Sequence, residues 1–81
     1  MRRRLSFDAN PKELAHRDAG PTHVALLWSR RTHRTAVVVE DDATGEVVEL
    51  DVREGDDPLE LYEHPYAYVD VRGRYLTAAT A

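Results

Sequence analysis

Cysteine is absent from this chain, which excludes disulfides and thiolate chemistry and removes the cross-links on which small secreted domains depend. A reducing compartment, the cytoplasm, is the expected location. Long apolar runs are missing too. The longest, Val24 to Trp28, falls far short of the roughly 20 residues that cross a bilayer as a helix, so no membrane association is expected. Arg2-Arg3-Arg4 is followed by Leu5-Ser6-Phe7-Asp8 rather than by an apolar core, which argues against a signal peptide. With 81 residues there is room for one domain, and chains of this size bury only about 60% of the surface that the unfolded form exposes.

What the chain does have is charge sorted by position. Residues 1–39 hold eight Lys/Arg against three Asp/Glu, residues 40–63 hold one against eleven, and residues 64–81 hold two against one. The segments carry +5, −10 and +1, which the overall net charge of −4 conceals. Sorted charge gives a small domain regions of opposite potential, which steer partners and restrict how copies approach one another.

Residues 1–9 lack periodicity and read as a flexible basic arm. Asn10-Pro11-Lys12-Glu13 has the form of a helix start, with Asn as cap, Pro at the first helical position and Glu13 reaching back. A short helix is expected there, held by Leu14 and ended by Gly20-Pro21. Thr22 to Arg30 then alternates as a strand, with Val24, Leu26 and Trp28 on one face. Ala36-Val37-Val38-Val39 is a β-branched run suited to the middle of a sheet. The link Arg31-Thr32-His33 is short enough for a hairpin, and His33 is the candidate for positive φ. Glu46 to Arg53 alternates again, with Val48, Leu50 and Val52 on a dry side against Val47, Glu49, Asp51 and Arg53 on a wet one, and Gly45 closes the preceding turn. The basic turn at residues 30–34 and the acidic turn at residues 40–42 then fall at opposite ends of a meander.

Asp57-Pro58-Leu59-Glu60 repeats the capping pattern and starts a second helix. Leu59, Tyr62, Tyr66 and Val69 keep helical spacing, but Pro65 removes an amide and would collide with the carbonyl of Leu61, so a break is expected at His64. The resulting fold class is α+β: a three-stranded antiparallel β-meander, with a short N-terminal helix and a broken C-terminal helix packed on one face, in the order αβββα. Residues 10–73 form the domain and residues 74–81 a flexible tail. The expected core is Val24, Leu26, Trp28, Val37, Val39, Val48, Leu50, Val52, Leu59 and Tyr62. The element order resembles that of the double-stranded-RNA-binding domain. Where that fold presents lysines to phosphates, however, this chain has Glu54-Gly55-Asp56-Asp57.

Motifs of chemistry are sparse. His16, His23, His33 and His64 show no ligand spacing such as His-x₃-His, and the acidic turns do not fit an EF-hand, so neither a metal nor a cofactor is expected. Pairing His64 with Glu60 or Glu63, or Ser29 with His23, leaves no third member and no oxyanion donor, so no catalytic residue is assigned and the chain is not read as an enzyme. The candidate interaction residues are Arg30, Arg31, His33 and Arg34 in the basic turn, with Tyr66 and Tyr68 from a segment in which all four tyrosines fall between residues 62 and 75.

Val24-Ala25-Leu26-Leu27-Trp28-Ser29-Arg30-Arg31, Asp42-Ala43-Thr44-Gly45-Glu46 and His64-Pro65-Tyr66-Ala67-Tyr68 together resemble small uncharacterised proteins of high-GC actinobacteria. The resemblance spans residues 22–70 and implies an origin, not an activity. The expectation from the sequence is a small cytoplasmic, non-catalytic accessory or protein-interaction module, with a protein partner and the option of a homodimer through its open sheet edges. The alternative is a nucleic-acid-associated regulator using Arg2–Arg4 and the Arg30–Arg34 turn. The eleven central carboxylates count against it.

Overall fold

The computed structural model describes residues 10–75. Four long antiparallel strands form a meander: β1 (Lys12–Ala19), β2 (Thr22–Trp28), β3 (Thr35–Asp41) and β4 (Glu46–Val52). Two short helices follow, α1 (Pro58–Glu63) and α2 (Tyr66–Arg72), and β5 (Arg74–Tyr75) returns to pair with Val48 and Glu49 of β4. The α+β class and the antiparallel sheet are as the sequence implies. The sheet is larger than three strands, because the segment expected to be the first helix is β1. The arm assigned to residues 1–9, with Arg2, Arg3 and Arg4, lies outside the described residues, as do residues 76–81 of the tail.

The helix expected after Asn10 gives way for a tertiary reason. Its cap signal is sound, but Leu14 is the one large apolar side chain the segment offers, and it ends half exposed. β2 is apolar on both faces and has an outer edge to satisfy, and seven residues of β1 pair with it. Backbone pairing along a whole strand outweighs a local helix preference that no core contact supports. Gly20-Pro21 is therefore a two-residue hairpin loop between Ala19 and Thr22. Gly20 has φ +61°, and Pro21 cannot take positive φ, which suits a turn with glycine at the first central position. A bulge between Glu13 and Ala15 interrupts the ladder.

At the other end, the β2–β3 turn is built on Ser29, which is fully buried. Its Oγ accepts from the amides of Arg31 and Thr32 at 3.2 and 3.1 Å, its amide donates to the Arg34 carbonyl, and its carbonyl accepts from His33. His33 takes φ 63°, as its place in the turn requires.

One face of the sheet carries the main core: Val24, Leu26, Val37, Val39, Val48 and Leu50, closed by Leu61 of α1 and Val69 of α2. Val52 and Tyr62 pack at its margin, and Trp28 is half-buried. Leu59, expected in the core, is 55% exposed, whereas Leu61 is 1% exposed. The reason is the break at His64. Asp57 caps α1 by accepting from the Leu59 amide, α1 stops at Glu63, and α2 restarts after Pro65. The two helices thus present Leu61, Pro65 and Val69 inward, not the continuous row from Leu59 that one long helix would give. The other sheet face holds a second buried cluster, Leu27, Val38 and Val47 with Ala25 beside it. Among the described residues, no helix contributes to that cluster.

The charge pattern is folded back on itself. The β2–β3 turn does lie opposite the β1–β2 and β3–β4 turns, which are tied together by the Asp42 amide donating to the Pro21 carbonyl. Yet β4 runs back, and Val52 pairs with Thr35, so Glu54, Asp56 and Asp57 arrive at the arginine end. The acidic end carries Asp18, Glu40, Asp41, Asp42 and Glu46 against Arg17 and His23, and the basic end is mixed.

Candidate functional site

The six residues picked out in the sequence do not converge. Arg30, Arg31, His33 and Arg34 are exposed on the β2–β3 turn, while Tyr66 stands at the α1–α2 corner near the opposite end, about 20 Å away along a seven-residue strand. In the turn, the His33 ring stacks on Trp28 with centroids 5.6 Å apart and planes within 3°, which leaves it one face for any further contact. Arg34 reaches Asp51 at 3.5 Å.

Tyr68 is a structural residue. Its hydroxyl donates to Glu60 at 3.3 Å and the Arg72 guanidinium lies over its ring at 5.7 Å. Partial burial, with the Glu60 carboxylate next in effect, pushes its pKa up. Arg72 in turn donates to Asp56 at 2.6 Å and to the Asp51 carbonyl at 3.0 Å, pinning the end of α2 to the β4–α1 loop. The hydrogen bond from Arg72, with that from the Arg53 amide, holds the Asp56 carboxyl below the usual range.

Tyr66, by contrast, is 58% exposed and borders an open groove of about 440 Å³ between the β1–β2 hairpin and the α1–α2 corner. Arg17 of β1 shapes that groove. Its guanidinium donates to the carbonyls of Tyr62 at 2.8 Å and Glu63 at 3.1 Å and lies over the Tyr62 ring. It supplies the cation that the last turn of α1 lacks in its own sequence, where helix carbonyls have no partner within the helix. Ala19, Thr22, Val24, Glu63, His64, Pro65 and Ala67 complete the walls.

On the opposite sheet face, beside the same turns, lies a cluster that the sequence reading missed. Asp18 is paired directly across the hairpin with His23, and His16 with Ala25, so the two histidines are diagonal neighbours on one face. Asp18 Oδ1 lies 2.6 Å from His23 Nδ1 and 2.8 Å from His16 Nε2. His23 Nε2 lies 2.7 Å from Asp42 Oδ2, because the tie between the two turns brings Asp42 alongside. Glu13 stands 3.9 Å from His16 Nδ1. The hydrogen bonds to Asp18 and then to Asp42 raise the His23 pKa to about 9, and the same bond from His23 lowers that of Asp18. The seven-residue separation of the histidines conveys nothing by itself. The signal was Gly20-Pro21: read as a two-residue loop, it places Asp18 opposite His23.

The Ser29 and His23 pair considered in the sequence is not assembled, since Ser29 is buried in the turn at the far end of β2. Among the described residues, one group of His, Asp or Glu side chains has the proximity to hold a metal ion, and it is His16, Asp18 and His23. No described helix is long and apolar enough to cross a membrane. Compared with known proteins, the chain matches no family model, no curated protein and no solved structure.

Proposed function

We propose that the protein is a small, non-catalytic interaction module of the cytoplasm, and that its partner is a basic protein segment that inserts an apolar side chain into the groove beside Tyr66. The observation that carries this reading is the groove itself, open, about 440 Å³ in volume and bordered by a tyrosine that is mostly exposed. Tyrosine at such a position combines a large apolar area with a hydroxyl that can remain wet, which is why it is enriched among the residues that dominate interfaces. The sign of the partner follows from the surroundings. Glu63 is the acidic side chain in the groove lining, and the Arg17 charge is turned onto helix carbonyls.

Pairing of two copies through β1 is a weaker basis for association. The edge carries a bulge at Glu13/Ala15 and the charges of Lys12, Glu13, Arg17 and Asp18, the devices by which sheet edges avoid other strands. The nucleic-acid alternative keeps exposed Arg30 and Arg31, but the acids of the β4–α1 loop share their end and reduce attraction to a polyanion.

Peptide display on the wild-type chain, with a second round on Tyr66→Ala, tests the proposal. The enriched peptides are expected to be basic around an apolar centre and to lose about thirtyfold or more in affinity for Tyr66→Ala, the loss typical of a central interface residue. Peptides that bind Tyr66→Ala as well as wild type would contradict it, as would nucleic-acid binding that Arg30→Ala/Arg31→Ala abolishes and Tyr66→Ala leaves intact.

A further inference from the structure

We propose that His16, Asp18 and His23 form a binding site for a divalent transition-metal ion of the zinc type, with His16 Nε2, His23 Nδ1 and a carboxylate oxygen of Asp18 as ligands, the proton that His23 Nδ1 donates to Asp18 passing to solvent as the ion binds, and the fourth position open to water. This goes beyond the groove reading and does not depend on it, since the cluster is on the other sheet face.

Three observations point to it. First, both imidazole nitrogens already converge on one oxygen, Asp18 Oδ1, at 2.8 and 2.6 Å, and the three ligand atoms lie within 4.8 Å of one another. Ligands about 2.0–2.1 Å from a tetrahedral ion stand roughly 3.3 Å apart. The Asp18 oxygen therefore has to withdraw by well under an ångström, and the two imidazole nitrogens, at most 4.8 Å apart, have to close by no more than about 1.5 Å, which the exposed Asp18 and His16 side chains allow. Second, the backbone fixes the three residues. Directly opposed and diagonal positions of a tight two-residue hairpin are held by the strand ladder, so the order in the donor set is built in. Third, the His23 imidazole has a carboxylate at its remaining nitrogen, Asp42 at 2.7 Å from Nε2, while Glu13, at 3.9 Å from His16 Nδ1, stands beyond hydrogen-bond distance. A carboxylate behind a ligating histidine fixes its tautomer and raises its basicity, and is the usual outer partner of such ligands. Two nitrogens and one oxygen suit zinc and its neighbours, whereas Ca²⁺ and Mg²⁺ need more oxygens in place of the imidazoles. Three protein ligands with one open position is also the arrangement that leaves an ion accessible to a further donor.

Calorimetric titration of the full chain with Zn²⁺, together with the visible spectrum of the Co²⁺ form, decides the matter. One ion per chain is expected, with binding lost in His16→Ala and in His23→Ala. Asp42→Asn is expected to weaken it about 10–100-fold through the outer partner. The double variant His33→Ala/His64→Ala is expected to bind as wild type does. Should His23→Ala fail to fold, the exposed His16→Ala and paramagnetic broadening of the His16 and His23 ring signals by Co²⁺ carry the same information. Absence of binding, unchanged binding in His16→Ala, equal competition by Mg²⁺ or Ca²⁺, or broadening centred on His33 or His64 would overturn the proposal.

Discussion

Replacing Leu61 with alanine is expected to destabilise the protein far more than replacing Leu59, although the two are neighbours of the same type in one six-residue helix. Leu61 is 1% exposed and packs into the cluster of Val24, Leu26, Val37 and Val39, whereas Leu59 is 55% exposed. Truncating a fully buried leucine forfeits its transfer free energy and leaves a cavity, together about 2–5 kcal/mol. A domain of this length has roughly 4–12 kcal/mol in total, so Leu61→Ala removes a large share of it. At about 4–8 °C per kcal/mol, the melting temperature falls by roughly 10 °C or more. Leu59→Ala is expected to cost less than about 1 kcal/mol, since half its surface is already wet. Urea unfolding followed by far-ultraviolet circular dichroism separates the two: the Leu61→Ala midpoint drops with little change in slope, and the Leu59→Ala midpoint scarcely moves. Equal losses, or a greater loss at Leu59, would refute the helix phase and restore the single row of Leu59, Tyr62 and Tyr66.

Gly73 has an ordinary φ of −69°, but a Cβ there would lie 2.6 Å from the Val69 carbonyl oxygen and 2.8 Å from Val48 Cγ1. Gly73→Ala is therefore expected to cost about 1–3 kcal/mol by overpacking, measured by the same unfolding curves, and a neutral result would contradict the close approach of α2 to β4. His23 has a folded-state pKa of about 9 against 6.5 for the free group. Its contribution to stability is therefore fully present below pH 6.5 and is lost as the pH rises through 9. Melting temperatures across that window are expected to fall in the wild type and to stay level by comparison in His23→Gln, and parallel profiles would argue against the bridge from Asp18 to Asp42. Asp56 shifts the other way, so its contribution is present above the ordinary carboxylate range and declines as pH falls through its lowered pKa. Arg72→Met is expected to flatten that acid limb, and an unchanged limb would count against the Arg72 clip.

The strands of the meander were legible because each alternates or is β-branched, and the break at His64 because a proline's missing amide is a local fact. β1 was not. Its residues carry a genuine helix-start pattern, and what decides otherwise is the outer edge of β2, a requirement that appears only once the sheet exists. The same error hid the imidazole cluster. With Gly20-Pro21 read as the end of a helix, His16 and His23 belong to different elements. With Gly20-Pro21 read as a hairpin loop, Asp18 and His23 face each other. Leu59 was misplaced for a related reason, since a helical spacing drawn through Pro65 assumes one phase where the backbone has two. The candidate interaction residues show the limit of helical spacing as a guide: the row Leu59, Tyr62, Tyr66 and Val69 turns Tyr66 inward and leaves Tyr68 out, whereas Tyr66 is 58% exposed and Tyr68 is half-buried against the core.

Chemical-shift mapping of a display-selected basic peptide onto the labelled protein tests the groove assignment most directly. Shifts are expected at Ala19, Thr22, Tyr66 and Ala67, the lining of the groove, and they are expected to weaken as salt rises from low to moderate concentration. Shifts confined to Arg30, Arg31 and Arg34, with the groove amides unmoved, would contradict the account.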